Sequence, residues 1–179
     1  MTDWSRIVQE HGPAVWSTVY RLIDHDADAA DCFQDVFISA LEVSRKETVR
    51  SWPALLKRLA ISRSLDWLRR RYRMSDRMTV PLESPTIDDR TVARSGTADG
   101  RELAEEIRRA LAELDARQAR VFCLACVDGL AYAEIADQLC ITVNHVGVLL
   151  NRARSNLRER LQDFRPDTTA KPPNQEVPS

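Results

Sequence analysis

Two groups of side chains in this chain of 179 residues have the types and spacing for work on nucleic acid. The first lies between Thr142 and Arg160. Asn144 and Asn151 carry amides that can pair with an adenine edge, and Val143 and Val148 can touch thymine methyls. Arg152, Arg154, Arg158 and Arg160 can hold phosphates, with His145 among them. The second group is Arg69-Arg70-Arg71-Tyr72-Arg73, with Arg63 and Trp67 just upstream. Cations that track a backbone, interleaved with rings on which unpaired bases stack, suit single-stranded DNA. A plainer reading of each stays open: a helical hairpin whose polar side is merely solvated, and a helix end dressed with cations that its dipole favours.

Other chemistry is weaker. Cys123-x-x-Cys126 with Cys140 and His145 falls near zinc-ligand spacings, but the first two lie inside a predicted helix, where cysteine behaves as a small hydrophobe. Asp24-x-Asp26-x-Asp28 running to Asp35 echoes a calcium loop, yet Ala29 stands where glycine is needed and the last ligand would be an aspartate within a helix. There is no phosphate-cradling glycine loop, and His11, His25 and His145 adjoin no serine or cysteine motif. The expectation is a protein without catalysis, metal or cofactor.

The elements that must position the first group form a helix-turn-helix. Ile135, Ala136 and Leu139 give one short helix an apolar face, Cys140-Ile141-Thr142 interrupts it, and Val146, Leu149, Ala153 and Leu157 resume at three- and four-residue steps. Small Ala136 allows close approach, Ile141 plugs the angle, and Thr142 can cap the second helix, which in such motifs enters the major groove. Upstream, Asp99 with Glu102, and then Asp115 with Gln118, read as helix starts, the latter helix ending at Asp128-Gly129.

In the N-terminal half, Trp4 to about Ile23 reads as helix, turn, helix, broken at Gly12-Pro13. Asp26 or Asp28 can cap the next helix, with Phe33, Val36, Phe37, Ala40 and Leu41 buried and Asp31, Gln34, Asp35 and Ser39 outside. Ser44 to Ser51 reads as a loop, and a long helix follows from Pro53 to about Tyr72. Its core side is marked by Leu56, Leu59, Leu65, Leu68 and Tyr72, and Arg63, Asp66 and Arg70 are spaced to pair. Residues 74–100, rich in Pro, Gly, Ser, Thr and Asp, are too long for a structureless loop inside one domain and read as a flexible linker. Residues 166–179 read as a disordered tail. The fold class is therefore all-α: two small helical domains, 1–73 and 101–165, joined by that linker.

Charge separates the two halves further. The chain carries a formal −1, which excludes a globally basic nucleic-acid binder. Between Asp24 and Glu42 there are six acidic residues and no Lys or Arg, whereas Lys57 to Arg73 holds seven basic residues against Asp66 alone. An acidic, DNA-repelling helix needs a protein partner. No apolar run approaches the ~20 residues of a membrane span and no signal-peptide pattern opens the chain, so no membrane insertion and a cytoplasmic location are expected. The four cysteines there would be reduced thiols.

Two blocks together resemble bacterial RNA polymerase sigma factors of the extracytoplasmic-function (ECF) group, which carry only regions 2 and 4. Asp28-Ala-Ala-Asp31-Cys-Phe-Gln34-Asp35-Val-Phe37 and Ala60-Ile-Ser-Arg63-Ser-Leu65-Asp66-Trp-Leu-Arg69-Arg70 resemble region 2. Ala110 to Phe122, Gly129-Leu-Ala-Tyr-Ala-Glu134-Ile135-Ala136 and Arg152-Ala-Arg154-Ser-Asn-Leu157-Arg158 resemble region 4. The resemblance implies that Asp28, Asp31, Gln34 and Asp35 dock on the clamp of core RNA polymerase, and that Arg63, Trp67, Arg69, Arg70 and Arg73 recognise and open the −10 element. It places Thr142, Asn144, His145, Val148, Asn151, Arg152 and Arg154 at the −35 element. Promoter DNA and core polymerase are thus the implied partners, and an anti-sigma factor is a further one, with the linker giving it room between the domains.

The chain departs from the family at Leu55, where Trp is frequent, at Ser62, where Asn is, and at Cys140, where Gly is. Gly147-Val148-Leu149 replaces basic and hydroxyl residues, which bears on the strength and specificity of −35 recognition. A helix-turn-helix regulator acting without polymerase is the alternative, although it would need a ligand or dimerisation module in the N-terminal half. A second alternative is an interaction protein that docks through Val143, Val148 and Leu150.

Overall fold

Asp3 opens the first helix by accepting the backbone N–H of Arg6 at 3.1 Å, and α1 then runs unbroken from Trp4 to Ile23. The expected turn at Gly12-Pro13 does not form. Pro13 removes one helical hydrogen bond, to the carbonyl of Gln9, and Gln9 is exposed, so water can take that carbonyl. Gly12 is buried and lets Phe33 approach to 3.7 Å of where a Cβ would stand. The computed structural model describes residues 2–77 and 98–162, all of whose regular structure is helical.

Asp24, with φ 57°, ends α1 in the left-handed region, and α2 spans Asp26–Lys46. Its cap is His25, not Asp26 or Asp28: the imidazole Nδ1 accepts the Asp28 N–H at 3.5 Å, which leaves both aspartates in the first turn, where the helix dipole favours them. Helix α2 continues to Lys46, so the expected loop shortens to residues 47–51. Ser39, expected outside, is buried; its hydroxyl donates to the Asp35 carbonyl at 2.6 Å.

Helix α3, Trp52–Arg77, and α4, Ala98–Glu113, both run past the limits expected for the linker, and Asp99 falls within α4 instead of capping it. Residues 78–97 and the tail from 166 to 179 lie outside the described residues. Asp115 caps α5, Ala116–Cys126, by accepting from the N–H groups of Arg117 and Gln118. Gly129 turns the chain at φ 68° into α6, Tyr132–Leu139, and α7 follows over Val143–Arg160.

Two apolar cores result. Helices α1 and α2 pack on the first half of α3 through Val15, Val19, Ile23, Val36, Leu56 and Ala60, all buried. The second core joins α4 to α7, centred on Val121, Leu124, Ile135, Val146 and Leu150. It also takes in Ile61, Leu65, Leu68 and Tyr72 of α3. The long helix is therefore common to both halves.

Candidate nucleic-acid interface

The turn between α6 and α7 is built by Cys140, whose φ of 52° is left-handed, and by the Ile141 N–H donating to the Ala136 carbonyl at 3.0 Å. Such a bond closes a helix C-terminus on the chain that leaves it. Ile141 packs half-buried against the core, and the Thr142 hydroxyl accepts the His145 N–H at 3.2 Å to start α7. With Val146, Leu149, Leu150, Ala153 and Leu157 buried, the other side of α7 presents Asn144, His145, Asn151, Arg152 and Arg154 to solvent. Val143 and Val148 are exposed with them, at 50% and 41%. Leu150 is 1% exposed, which removes it from any surface role: it sits one residue from Leu149 on the core flank of the helix. Gly147 lies one turn from Asn144 and Asn151, and a Cβ added there would meet only the Tyr132 ring of α6, at 4.0 Å.

The basic end of α3 is less open. Arg63 turns inward and donates from Nε to the Ser39 hydroxyl at 2.9 Å. Asp66 pairs with Arg69 at 3.4 Å, while Arg70 donates to the Asp66 carbonyl, so the expected Arg63, Asp66 and Arg70 set is replaced by this arrangement. Trp67 is half-buried, with the Arg71 guanidinium 5.3 Å from its ring centroid, an energetically favourable stacking of cation on ring. Arg69 keeps only 15% of its side chain exposed, whereas Arg70 and Arg73 are open. A cleft of about 240 Å³ between α3 and α4 is lined by Arg69, Tyr72, Arg73, Arg109, Ala112 and Glu113. Arg109, which lies 5.7 Å over the Tyr72 ring, was not singled out by its sequence neighbourhood, because an arginine on a mixed-charge helix gives no sign of which helix it faces.

The acidic face of α2 is separate from both. Asp31, Gln34 and Asp35 are exposed and unencumbered by helix packing, while Asp28 is half-buried with its carboxylate 2.9 Å from His25 Nδ1. Ile38 stands among them, 54% exposed, and sequence reasoning passed over it. The signal was present: it lies off the stripe of Phe33, Val36, Phe37 and Ala40, so a large apolar residue was left on the polar side.

Family models for Sigma-70 region 2 and Sigma-70 region 4 match residues 7–74 and 104–157, in that order. The chain belongs to the sigma-70 family. Region 2 thus takes in α1, α2 and nearly all of α3, and region 4 runs from within α4 through most of α7; a region 2 paired with a region 4 is the organisation of the ECF group. Among relatives of this sigma-70 chain is the ECF RNA polymerase sigma factor SigE of Mycolicibacterium smegmatis, 26% identical over 174 residues. That match takes in 94% of this chain and 65% of the relative, so the chain spans just under two thirds of SigE. Among solved structures, the sigma factor RpoE from Bartonella quintana, crystallised with the anti-sigma factor NepR, shares the fold with a TM-score of 0.54 and 23% identity. The likeness covers 92% of this chain and all of that one.

Proposed function

We propose that the protein is a non-enzymatic initiation factor: it binds core RNA polymerase in the cytoplasm and directs it to promoters by reading −10 and −35 elements. What carries this reading is the coexistence, on one sigma-70 chain, of an exposed acidic face on α2 and an exposed amide, valine and arginine face on α7. Residues 1–73 supply the polymerase contact, through Asp28, Asp31, Gln34 and Asp35, and the −10 contact, through Arg63, Trp67, Arg69, Arg70 and Arg73. Residues 101–165 supply the −35 contact through Thr142, Asn144, His145, Val148, Asn151, Arg152 and Arg154, and residues 74–100 connect the two. Residues 101–165 hold ten basic and ten acidic side chains, so isolated DNA binding is weak and tethering on polymerase supplies the affinity. An anti-sigma factor is a further partner, in line with the complex formed by the structural neighbour.

Among the described residues no helix is long and apolar enough to cross a membrane, and no group of three or more His, Cys, Asp and Glu side chains could hold a metal ion. The test is reconstitution with core RNA polymerase and transcription from a genomic fragment library. New start sites sharing two spaced elements are expected. Asp35→Arg should weaken core binding at least tenfold with helicity unchanged, as Asp35 is exposed on its helix; unaltered core affinity removes the α2 assignment. Failure to bind core polymerase at low salt would favour the regulator alternative, which the region 2 match over residues 7–74 otherwise disfavours.

A further inference from the structure

Helix α3 carries Arg69 and Arg73 one turn apart, and α4 carries Ala112 and Glu113 one turn beyond Arg109, so each set occupies one side of its helix. Together with Tyr72 they line the cleft of about 240 Å³ between the two helices. Tyr72 fixes the approach of the walls. Its hydroxyl donates to the Glu105 carbonyl of α4 at 3.4 Å, and its ring takes the Arg109 guanidinium at 5.7 Å.

The charge of this lining is one-sided. Among the described residues that form it, Glu113 is the sole acidic side chain, and Arg160 of α7 already pairs with it. The other carboxylates nearby lie outside the lining and are engaged as well: Asp66 with Arg69 at 3.4 Å, Glu106 with Arg109 at 3.3 Å, and Glu105 with Arg71 at 3.3 Å and Arg108 at 3.5 Å. Single contacts of this kind leave most of the donors on each guanidinium unspent. Arg69 is the clearest case. Only 15% of its side chain is exposed, Nη1 reaches Asp66, and Nη2 is buried with no hydrogen-bond partner among the described residues. A buried cationic donor left unpaired is costly, so an acceptor arriving beside it recovers that cost. The planar forks of several arginines match the oxygens of phosphoryl groups, which accept from two nitrogens at once. A polynucleotide tracks open cations along a groove, whereas Arg69 is closed in by α4, which suits a compact anion that enters singly.

We propose that this cleft binds a small polyphosphate anion, held between α3 and α4 by Arg69, Arg73 and Arg109 over the edge of the Tyr72 ring. The ligand is free pyrophosphate or the polyphosphate of a nucleotide, whose phosphoryl groups present the same oxygens. Arg69 and Arg73 belong also to the −10 set, so the bound anion competes with a promoter strand for them; this consequence rests on the sigma-factor reading above, while the binding itself does not.

Titration calorimetry on the full chain with pyrophosphate, at fixed ionic strength, should show saturable binding. Arg109→Gln and Arg73→Gln, both at exposed positions, should each weaken it about tenfold, the cost of one hydrogen bond to a charged group, with helicity unchanged. Arg117→Gln, which removes an exposed arginine of α5 outside the cleft, should leave it unaltered. A nucleoside diphosphate that binds as well as pyrophosphate shows that the phosphoryl groups are all that is read; tighter binding shows that the nucleoside adds contacts. Saturating pyrophosphate should also weaken the binding of a short single-stranded oligonucleotide, read by anisotropy, in the unsubstituted chain and not in Arg109→Gln. No saturable binding, equal affinity for sulfate, or an equal loss with Arg117→Gln would each overturn the proposal, the last two by revealing a general attraction of anions to arginine. Oligonucleotide binding that falls with Arg109→Gln while pyrophosphate does not bind would give the cleft to nucleic acid instead. The calorimetry needs neither polymerase nor promoter, so a failed reconstitution counts against the sigma-factor reading alone.

Discussion

Cys140 carries the sharpest local conflict between side chain and backbone. A residue with a Cβ at φ 52° costs on the order of 1 kcal/mol relative to glycine. Cys140→Gly should therefore raise the denaturation midpoint by about that free energy with the slope unchanged, since the position is exposed and its loss leaves no cavity. The buried thiols make a second prediction. Burial pushes Cys123 up to about 12 and Cys32 up to about 11, from an ordinary 9.0, the latter against a lowering by its Ser64 contact. An unfolded chain releases those protons near pH 9 while the folded chain retains them, so stability falls as pH rises from about 9 through the folded values. Denaturation midpoints across that window should decline, and Cys123→Ala should flatten the decline. Cys126 and Cys140, being exposed, should meanwhile react with a thiol reagent in the native state.

At the scale of the helices, the recognition motif was legible in the sequence because each of its parts is local. The apolar steps of α7, the Thr142 cap and the left-handed turn at residue 140 all follow from neighbours within four residues. Where a local signal was overruled, the cause lay elsewhere in the fold. Pro13 reads as a break, yet α1 continues, because Gln9 can turn its carbonyl to water and Gly12 is held against Phe33 of α2. Gly147 also looked costly to α7, yet an added Cβ there would meet only the Tyr132 ring, at 4.0 Å, an ordinary contact distance. Gly147→Ala should accordingly stabilise the helix by about 1 kcal/mol and leave DNA specificity unaltered, checked by thermal unfolding beside a binding-site selection. A shifted sequence preference would mean that the glycine is needed for approach to DNA.

For the molecule as a whole, sequence reasoning divided the chain into two helical units and an intervening segment. It could not see that the units pack together. Leu56, Leu59, Leu65, Leu68 and Tyr72 look like one core side of α3, since periodicity records that a residue is apolar and not which helix it meets. Arg108 similarly gave no hint of Asp24, 84 positions away. Separating the two halves would expose Ile61, Leu65, Leu68 and Tyr72 to water, at about 1.5–3 kcal/mol for each large side chain, partly offset by hydration of buried polar atoms.

A helix with two sets of neighbours cannot be assigned to either one when the chain is cut. A fragment ending at Arg77 keeps α1 and α2 on one flank of α3, but its other flank becomes a bare ladder of four large side chains with Leu22 beside it. Contiguous apolar surface of this kind seeks cover. Such a fragment should self-associate in sedimentation at concentrations where the full chain is monomeric, and Leu65→Lys with Leu68→Lys should disperse it. Stickiness observed in a dissected N-terminal half would then be an artefact of the scissors, reporting the missing neighbour and not a native oligomer.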